Sequence, residues 1–239
     1  MHTSYEERFS GVLGSEYNLF ERSIPWHEEF QNKISEEIKI YCFNIQGNEA
    51  IKVFEAGCGT GITTVRILGA DKRIQVIALD NEDKTLKQAE EVLKDFQDRI
   101  NFVKEDISKY LENIEENSLD IFASAYVIHN LLPEYREKMF REVSRVLKVG
   151  GLFINGDKYA RNNNDQQIVD LEDQIKNFDI YDKMGRSDLK SEWIRHYNED
   201  EKIKITENEQ GEILKNFGFS NIKTVFRKRM EAIITAVKL

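Results

Sequence analysis

The chain has 239 residues, 40% of them hydrophobic and 32% charged, with a formal net charge of −9. That length suits one large domain, or a domain with an inserted cap, able to bury a substantial core. Its apolar runs are strand-sized, short of the roughly 18 consecutive apolar residues a membrane helix needs, and its basic residues are interspersed with acids, as in Glu137, Lys138, Arg141, Glu142, Arg145 and Lys148; neither a membrane nor a nucleic acid is an expected partner.

From the N-terminus, Met1 to Arg8 shows no basic region followed by an apolar one, so no signal peptide is expected and a cytoplasmic location is. Residues 17–41 form an amphipathic helical lead-in, with Pro25 expected in a helix first turn. Residues 51 to 155 alternate strand-like and helical patterns: 51–56 then 61–70, 74–79 then 83–95, 100–104, 119–125 then 133–148, and 151–155. Repeated β-α units imply a parallel, doubly wound sheet. The helix from Pro133 carries a stripe of Met139, Phe140, Val143, Val146 and Leu147, and Gly150-Gly151 is its expected stop. Polar sequence over 157–205 breaks the rhythm and reads as an inserted helical cap. A helix at 207–216 follows, then two closing runs, 221–227 and 230–238, expected to pair as a hairpin whose Arg227-Lys228-Arg229 is a solubilising edge. The division is thus a lead-in or lid over 1–48, a core over 49–156, the cap over 157–205 and completion of the core sheet over 206–239, one structural domain overall. Two cysteines, Cys42 and Cys58, are too few for a disulfide framework, and the four histidines at 2, 27, 129 and 196 lack metal-ligand spacing, so no metal is expected.

The most informative stretch is Val53-Phe54-Glu55-Ala56-Gly57-Cys58-Gly59-Thr60-Gly61. Glycines at Gly57, Gly59 and Gly61, between a strand and a helix, let the backbone turn tightly and approach a ligand such as a ribose or carboxylate. The third glycine falls one residue early for the dinucleotide fingerprint G-x-G-x-x-G, which argues against a nicotinamide or flavin site. Nineteen positions past Gly61, the run Val76-Ile77-Ala78-Leu79 ends in Asp80, a carboxylate able to accept both hydroxyls of a ribose. Next comes Asn101-Phe102-Val103-Lys104-Glu105-Asp106-Ile107.

These ordered motifs resemble the class I S-adenosylmethionine-dependent methyltransferases of the small-molecule type, closely over roughly residues 50 to 156 and by pattern in the C-terminal hairpin. The resemblance implies a Rossmann-like, mostly parallel seven-stranded sheet with a C-terminal antiparallel hairpin, and S-adenosyl-L-methionine as cofactor. It implies that Gly57, Cys58, Gly59 and Gly61 form the cofactor loop, that Glu55 supports that loop and the methionyl ammonium, that Asp80 holds the ribose with Asn81 beside it, and that Asp106 and Ile107 meet the adenine. Ser124 and Ala125 would line the methionine arm, and Tyr17 and Arg22 would close over the cofactor carboxylate, a task suited to a guanidinium. Tyr126, His129 and Asn130 follow where an acceptor should approach, with His129, beside Tyr126, as candidate base. Asp157, Tyr159, Arg161, Trp193 and Tyr197, with Arg195 and His196, could wrap a small substrate. Each has a plainer reading: a strand-end charge for Glu55 and Asp80, a helix N-cap for Asp106, a surface ion pair for Arg22, a structural histidine for His129, and helix packing for Trp193 and Tyr197, four residues apart.

No Asn/Asp-Pro-Pro-Tyr/Phe run is present, so methylation of an adenine or glutamine amine is not expected. The expected reaction is in-line methyl transfer to a small-molecule acceptor. The alternatives are other chemistry on the same cofactor (aminocarboxypropyl transfer, cyclisation or modification of the cofactor itself) and a non-catalytic cofactor-binding module. The acceptor and the oligomeric state are not legible.

Overall fold

The computed structural model describes residues 11–239; residues 1–10, read above for a leader, lie outside the described residues. A short helix α1 (Val12–Ser15) and a 3-10 turn (Tyr17–Ser23) lead into α2 (His27–Asn44). The core then runs β1 (Ile51–Ala56), α3 (Ile62–Ala70), β2 (Ile74–Asp80), α4 (Asp83–Val92), β3 (Ile100–Lys104), α5 (Ile107–Leu111), β4 (Leu119–Ala125), α6 (Pro133–Val146) and β5 (Leu147–Lys158). An insert of α7 (Asn164–Asn177), α8 (Asp179–Lys183) and α9 (Ser187–Asp200) precedes α10 (Glu207–Asn216) and the hairpin β6 (Phe219–Lys228) and β7 (Glu231–Lys238).

The strands form one sheet in the order β3-β2-β1-β4-β5-β7-β6. The first five are parallel, and β7 runs antiparallel between β5 and β6. Both faces are covered, which is why the central strands read as continuous apolar runs. Phe54, Phe122 and Phe153 stand in register across β1, β4 and β5, with ring centroids 5.8 and 5.5 Å apart. On their face pack Met139, Phe140, Val143 and Val146 of α6 and Leu214 of α10. Val53, Ile121 and Ile154 point the other way, toward Phe30, Ile34 and Ile38 of α2 and Ile67 of α3. Alternation with period two thus sends one set of side chains to each helical layer.

Three local expectations are corrected. Pro25 precedes the N-cap Trp26 of α2 and is not in a first turn; Ile24 before it is extended, at φ −114° and ψ 99°, as a residue before proline prefers. Gly150 and Gly151 do not stop α6, which already ends at Val146; they lie within the start of β5, where Gly150 has φ +81°. β5 continues through Asp157 and Lys158 because β7 pairs with it as far as Lys158 opposite Glu231. The three basic residues of the hairpin are all paired: Arg227 with Glu207, Lys228 with Glu29, and Arg229 with Asp170 and Asp173.

Candidate active site

The carboxyl ends of β1, β2 and β4 open on a cavity of about 470 Å³ bounded also by α2 and the 3-10 turn. A crevice at the carboxyl edge of a doubly wound sheet, where strand order reverses, is the usual ligand site of such folds. The loop after β1 shapes it with three left-handed glycines, Gly57 at φ +66°, Gly59 at +53° and Gly61 at +85°. A Cβ on Gly57 would lie 2.3 Å from Val127 Cγ2, and one on Gly61 2.8 Å from Leu93 Cδ1, whereas one on Gly59 would meet nothing within 4 Å. Two of the glycines therefore serve close packing, and the third leaves room on the cavity side.

Asp80 at the tip of β2 ties this loop to the next. Its Oδ2 accepts from the Gly59 amide at 2.8 Å, while Oδ1 accepts from the Glu82 amide at 2.9 Å and from Thr85 Oγ1 at 3.2 Å. Burial raises its pKa against the pull of these donors. Asp106 N-caps α5 through the Lys109 amide at 2.9 Å and accepts from the Tyr135 hydroxyl at 2.7 Å, so its N-cap role coexists with a place on the cavity wall. Glu55 lies beneath the loop, 1% exposed, with neither carboxylate oxygen hydrogen-bonded. Burial pushes its pKa up to about 7; the Thr64 hydroxyl opposes the shift without reaching hydrogen-bond geometry.

At the other end, Tyr126 follows β4 in a left-handed conformation, φ 58°, fixed by its amide donating to Gly156 O at 2.9 Å. Its buried ring packs against Phe20 (5.4 Å), Phe30 (4.9 Å) and His27 (6.2 Å), and its hydroxyl has no hydrogen-bond partner. Asn130 donates to Tyr126 O at 3.2 Å and keeps its own buried Oδ1 unpaired beside the cavity. Burial, followed by the charge of Arg66, lowers His27 to about 4, so the imidazole facing the cavity is neutral near pH 7.

Behind this wall is a dense polar cluster. Asp157 accepts the His129 amide at 3.0 Å and holds its Nδ1 at 2.5 Å. Lys158 contacts Asp200 of α9 and lies 3.7 Å from the centre of the Tyr197 ring. Arg136 of α6 donates to the carbonyls of Ile128, His129 and Ile203, joining the turn after β4 to the end of the insert.

Of the residues expected at a cofactor, Tyr17, Gly57, Cys58, Gly59, Asp80, Asn81, Asp106, Ile107 and Ala125 line the cavity; Glu55, Gly61 and Ser124 support it from behind. Arg22 does neither. The 3-10 turn directs Phe20 and Ser23 inward and leaves Arg22 exposed. Tyr126 and Asn130 line the cavity, while His129 and Asp157 are in the cluster behind it. The remaining substrate candidates are engaged elsewhere. Tyr159 hydrogen-bonds Asn155 at 2.6 Å within the core on the opposite face of the sheet, and Arg161 is paired with Asp170. Trp193 and Tyr197 pack on Phe178, and Trp193 also on Phe20, joining insert to lead-in. Sequence reasoning missed His27 and Gln31 of α2, whose four-residue spacing places them on one helical face toward the cavity, and it missed Thr63, which donates to Gln31 at 3.0 Å.

Residues 54–155 match the family model for a methyltransferase domain, a span that runs from within β1 to within β5. Over this span the chain has the sheet order and the motifs of the cofactor core of class I S-adenosylmethionine-dependent methyltransferases. A solved S-adenosylmethionine-dependent methyltransferase from Aquifex aeolicus shares the fold, with a TM-score of 0.59 and 16% identity over 93% of this chain and 98% of that one. Among curated proteins, the carboxy-S-adenosyl-L-methionine synthase of Nautilia profundicola is 25% identical over 98% of this chain and 94% of its own length, and that of Sulfurimonas denitrificans is 27% identical with the same coverage. The class I core uses S-adenosylmethionine, and this site fits it. Gly59 leaves a gap at the loop, the Glu55 carboxylate lacks a partner, and the described lining holds Asp80, Glu82, Glu105, Asp106 and Glu134 but no lysine or arginine, which suits a cofactor with a sulfonium and an ammonium. Among the described residues no helix is long and apolar enough to cross a membrane.

Proposed function

We propose that this enzyme builds on S-adenosylmethionine itself, adding a carboxyl group to the methyl carbon instead of passing the methyl to an acceptor. The observation that carries this reading is the extent of the likeness to the two carboxy-S-adenosyl-L-methionine synthases. It spans 98% of the chain, so it takes in the lead-in and insert that stand outside the matched methyltransferase domain. Second-substrate specificity in a shared fold resides in such additions.

When bound, S-adenosylmethionine supplies a sulfonium that acidifies the C–H bonds of its methyl group. Carboxylation replaces one of those bonds with a C–C bond to a carboxyl carbon. The released proton and the electron pair left on the carboxyl donor end together as a new bond to hydrogen on the donor fragment, so no oxidant or reductant enters. In this reading Asp80 holds the ribose, Asp106 and Ile107 the adenine, and Glu55 the ammonium. Asn130 and Tyr126 face the reacting end, and the rings of Tyr17, Phe20, Phe30 and Tyr126 keep water from it. His129, fixed by Asp157 behind the wall, positions the Tyr126–Asn130 turn.

A second reading, methyl transfer to a small molecule, is favoured by the methyltransferase-domain match. Incubating the purified protein with S-adenosylmethionine and pooled carboxylic acids, then weighing the cofactor products, separates the two. A product heavier than the cofactor by one carbon dioxide supports carboxylation. S-adenosylhomocysteine supports methyl transfer, and methylthioadenosine would place the chemistry on the aminobutyrate arm.

A further inference from the structure

Three buried side chains behind the cavity wall converge on one point. His129 Nε2 lies 3.7 Å from Asp200 Oδ2, and His196 Nε2 lies 3.5 Å from the same oxygen. All three ligand atoms are within 4.8 Å of one another. Ligands bonded to a tetrahedral ion at roughly 2.0–2.1 Å stand about 3.3–3.4 Å apart, so small movements would bring these atoms to bonding distance. His196 and Asp200 are one turn apart on α9 and share a face. The other ring nitrogen of His129 is fixed by Asp157 at 2.5 Å, the carboxylate–histidine arrangement that orients a ligating imidazole.

We propose that His129, His196 and Asp200 form a binding site for a divalent transition-metal ion of the zinc type, which pins the insert helix α9 to the turn after β4. Two imidazoles and one carboxylate select such ions over magnesium or calcium, which take oxygen ligands. The competing cation is Lys158, whose ammonium contacts Asp200. A second anion is within its reach. Lys158 stands directly opposite Glu231 in the β5–β7 register, so their side chains share a face of the sheet, and Glu231 Oε1 is buried without a hydrogen-bond partner. Moving Lys158 from Asp200 to Glu231 would pair that oxygen and take the ammonium off Asp200. The dication would then face Asp157 and Asp200, which also feel the buried Arg136 guanidinium, and the ammonium would face Glu231. The site is independent of which reaction the cavity performs.

The test is titration of the metal-free, full-length protein with Zn2+, followed by thermal melting, and with Co2+, followed by visible absorption. Saturable stabilisation and cobalt ligand-field bands are expected, both lost in His196→Ala, with Mg2+ producing neither. Asp157→Asn should weaken binding roughly 10–100-fold by loosening His129. Glu231→Gln, which leaves all three ligands in place, should also weaken binding because Lys158 then has no anion to move to. These two variants decide the matter if His196→Ala does not fold. Absence of stabilisation and of cobalt bands in the wild type, or affinity unchanged in both Asp157→Asn and Glu231→Gln, would overturn the proposal.

Discussion

Asp80 ties the loops after β1 and β2 together, its carboxylate binding the Gly59 and Glu82 amides while facing the cavity, and in the proposed reading it also holds the ribose. Asp80→Asn keeps the shape but gives up a charged acceptor, and hydrogen bonds to charged groups contribute about 1.5–3 kcal/mol. S-adenosylmethionine affinity, measured by calorimetry, should therefore fall by roughly 10–100-fold. Glu55 makes a prediction about pH. Its folded pKa of about 7 lies above the ordinary 4.5, so its stability contribution is fully present below about 4.5 and is lost as pH rises through 7. Glu55→Gln cannot ionise; it should match the wild type in acid and become relatively more stable toward pH 7.5, by roughly 3 kcal/mol at most. Parallel denaturation curves at every pH would show that Glu55 does not titrate in this way. Both residues stood out in the sequence because each lies at or next to the end of a strand beside the glycine loop. His27 and Gln31 did not, since only the packing of α2 against the loop brings them to the cavity.

Among the elements, the core strands and helices were read nearly in place, because each carries its own periodicity and its own stop. Besides the local misplacements of Pro25 and Gly150-Gly151, departures fell where a long-range partner decides: β5 runs on to Lys158 because β7 pairs with it, and Arg161 turns away from the cavity to meet Asp170 on α7. Arg136 joins two elements that the sequence does not connect. It is 3% exposed and donates to carbonyls at both the turn after β4 and the end of the insert. Arg136→Met fills much of the same space and takes the donor from the His129 and Ile203 carbonyls, while Ile128 O keeps the Leu131 amide, at about 1–3 kcal/mol for each acceptor left unpaired that water does not reach. Chemical denaturation should show a loss of several kcal/mol; a change below about 0.5 kcal/mol, typical of surface sites, would mean the clamp contributes little.

At the scale of the whole molecule, the seven-stranded sheet follows from repeated β-α units and a terminal pair of strands, and its reversal of order between β1 and β4 places the cavity. A second substrate was not legible, since α1–α2 and α7–α9, to which the proposed function assigns it, pack on each other through Phe20, Phe178 and Trp193 instead of repeating a local pattern. The central claim, that the methyl carbon is built upon and not transferred, is tested most directly with S-adenosylmethionine carrying deuterium on its methyl group, incubated with pooled carboxylic acids and analysed by mass spectrometry. Carboxylation predicts a heavier sulfonium product that keeps two of the three deuterons. Unlabelled S-adenosylhomocysteine, with the intact trideuteromethyl group on another molecule, would contradict it.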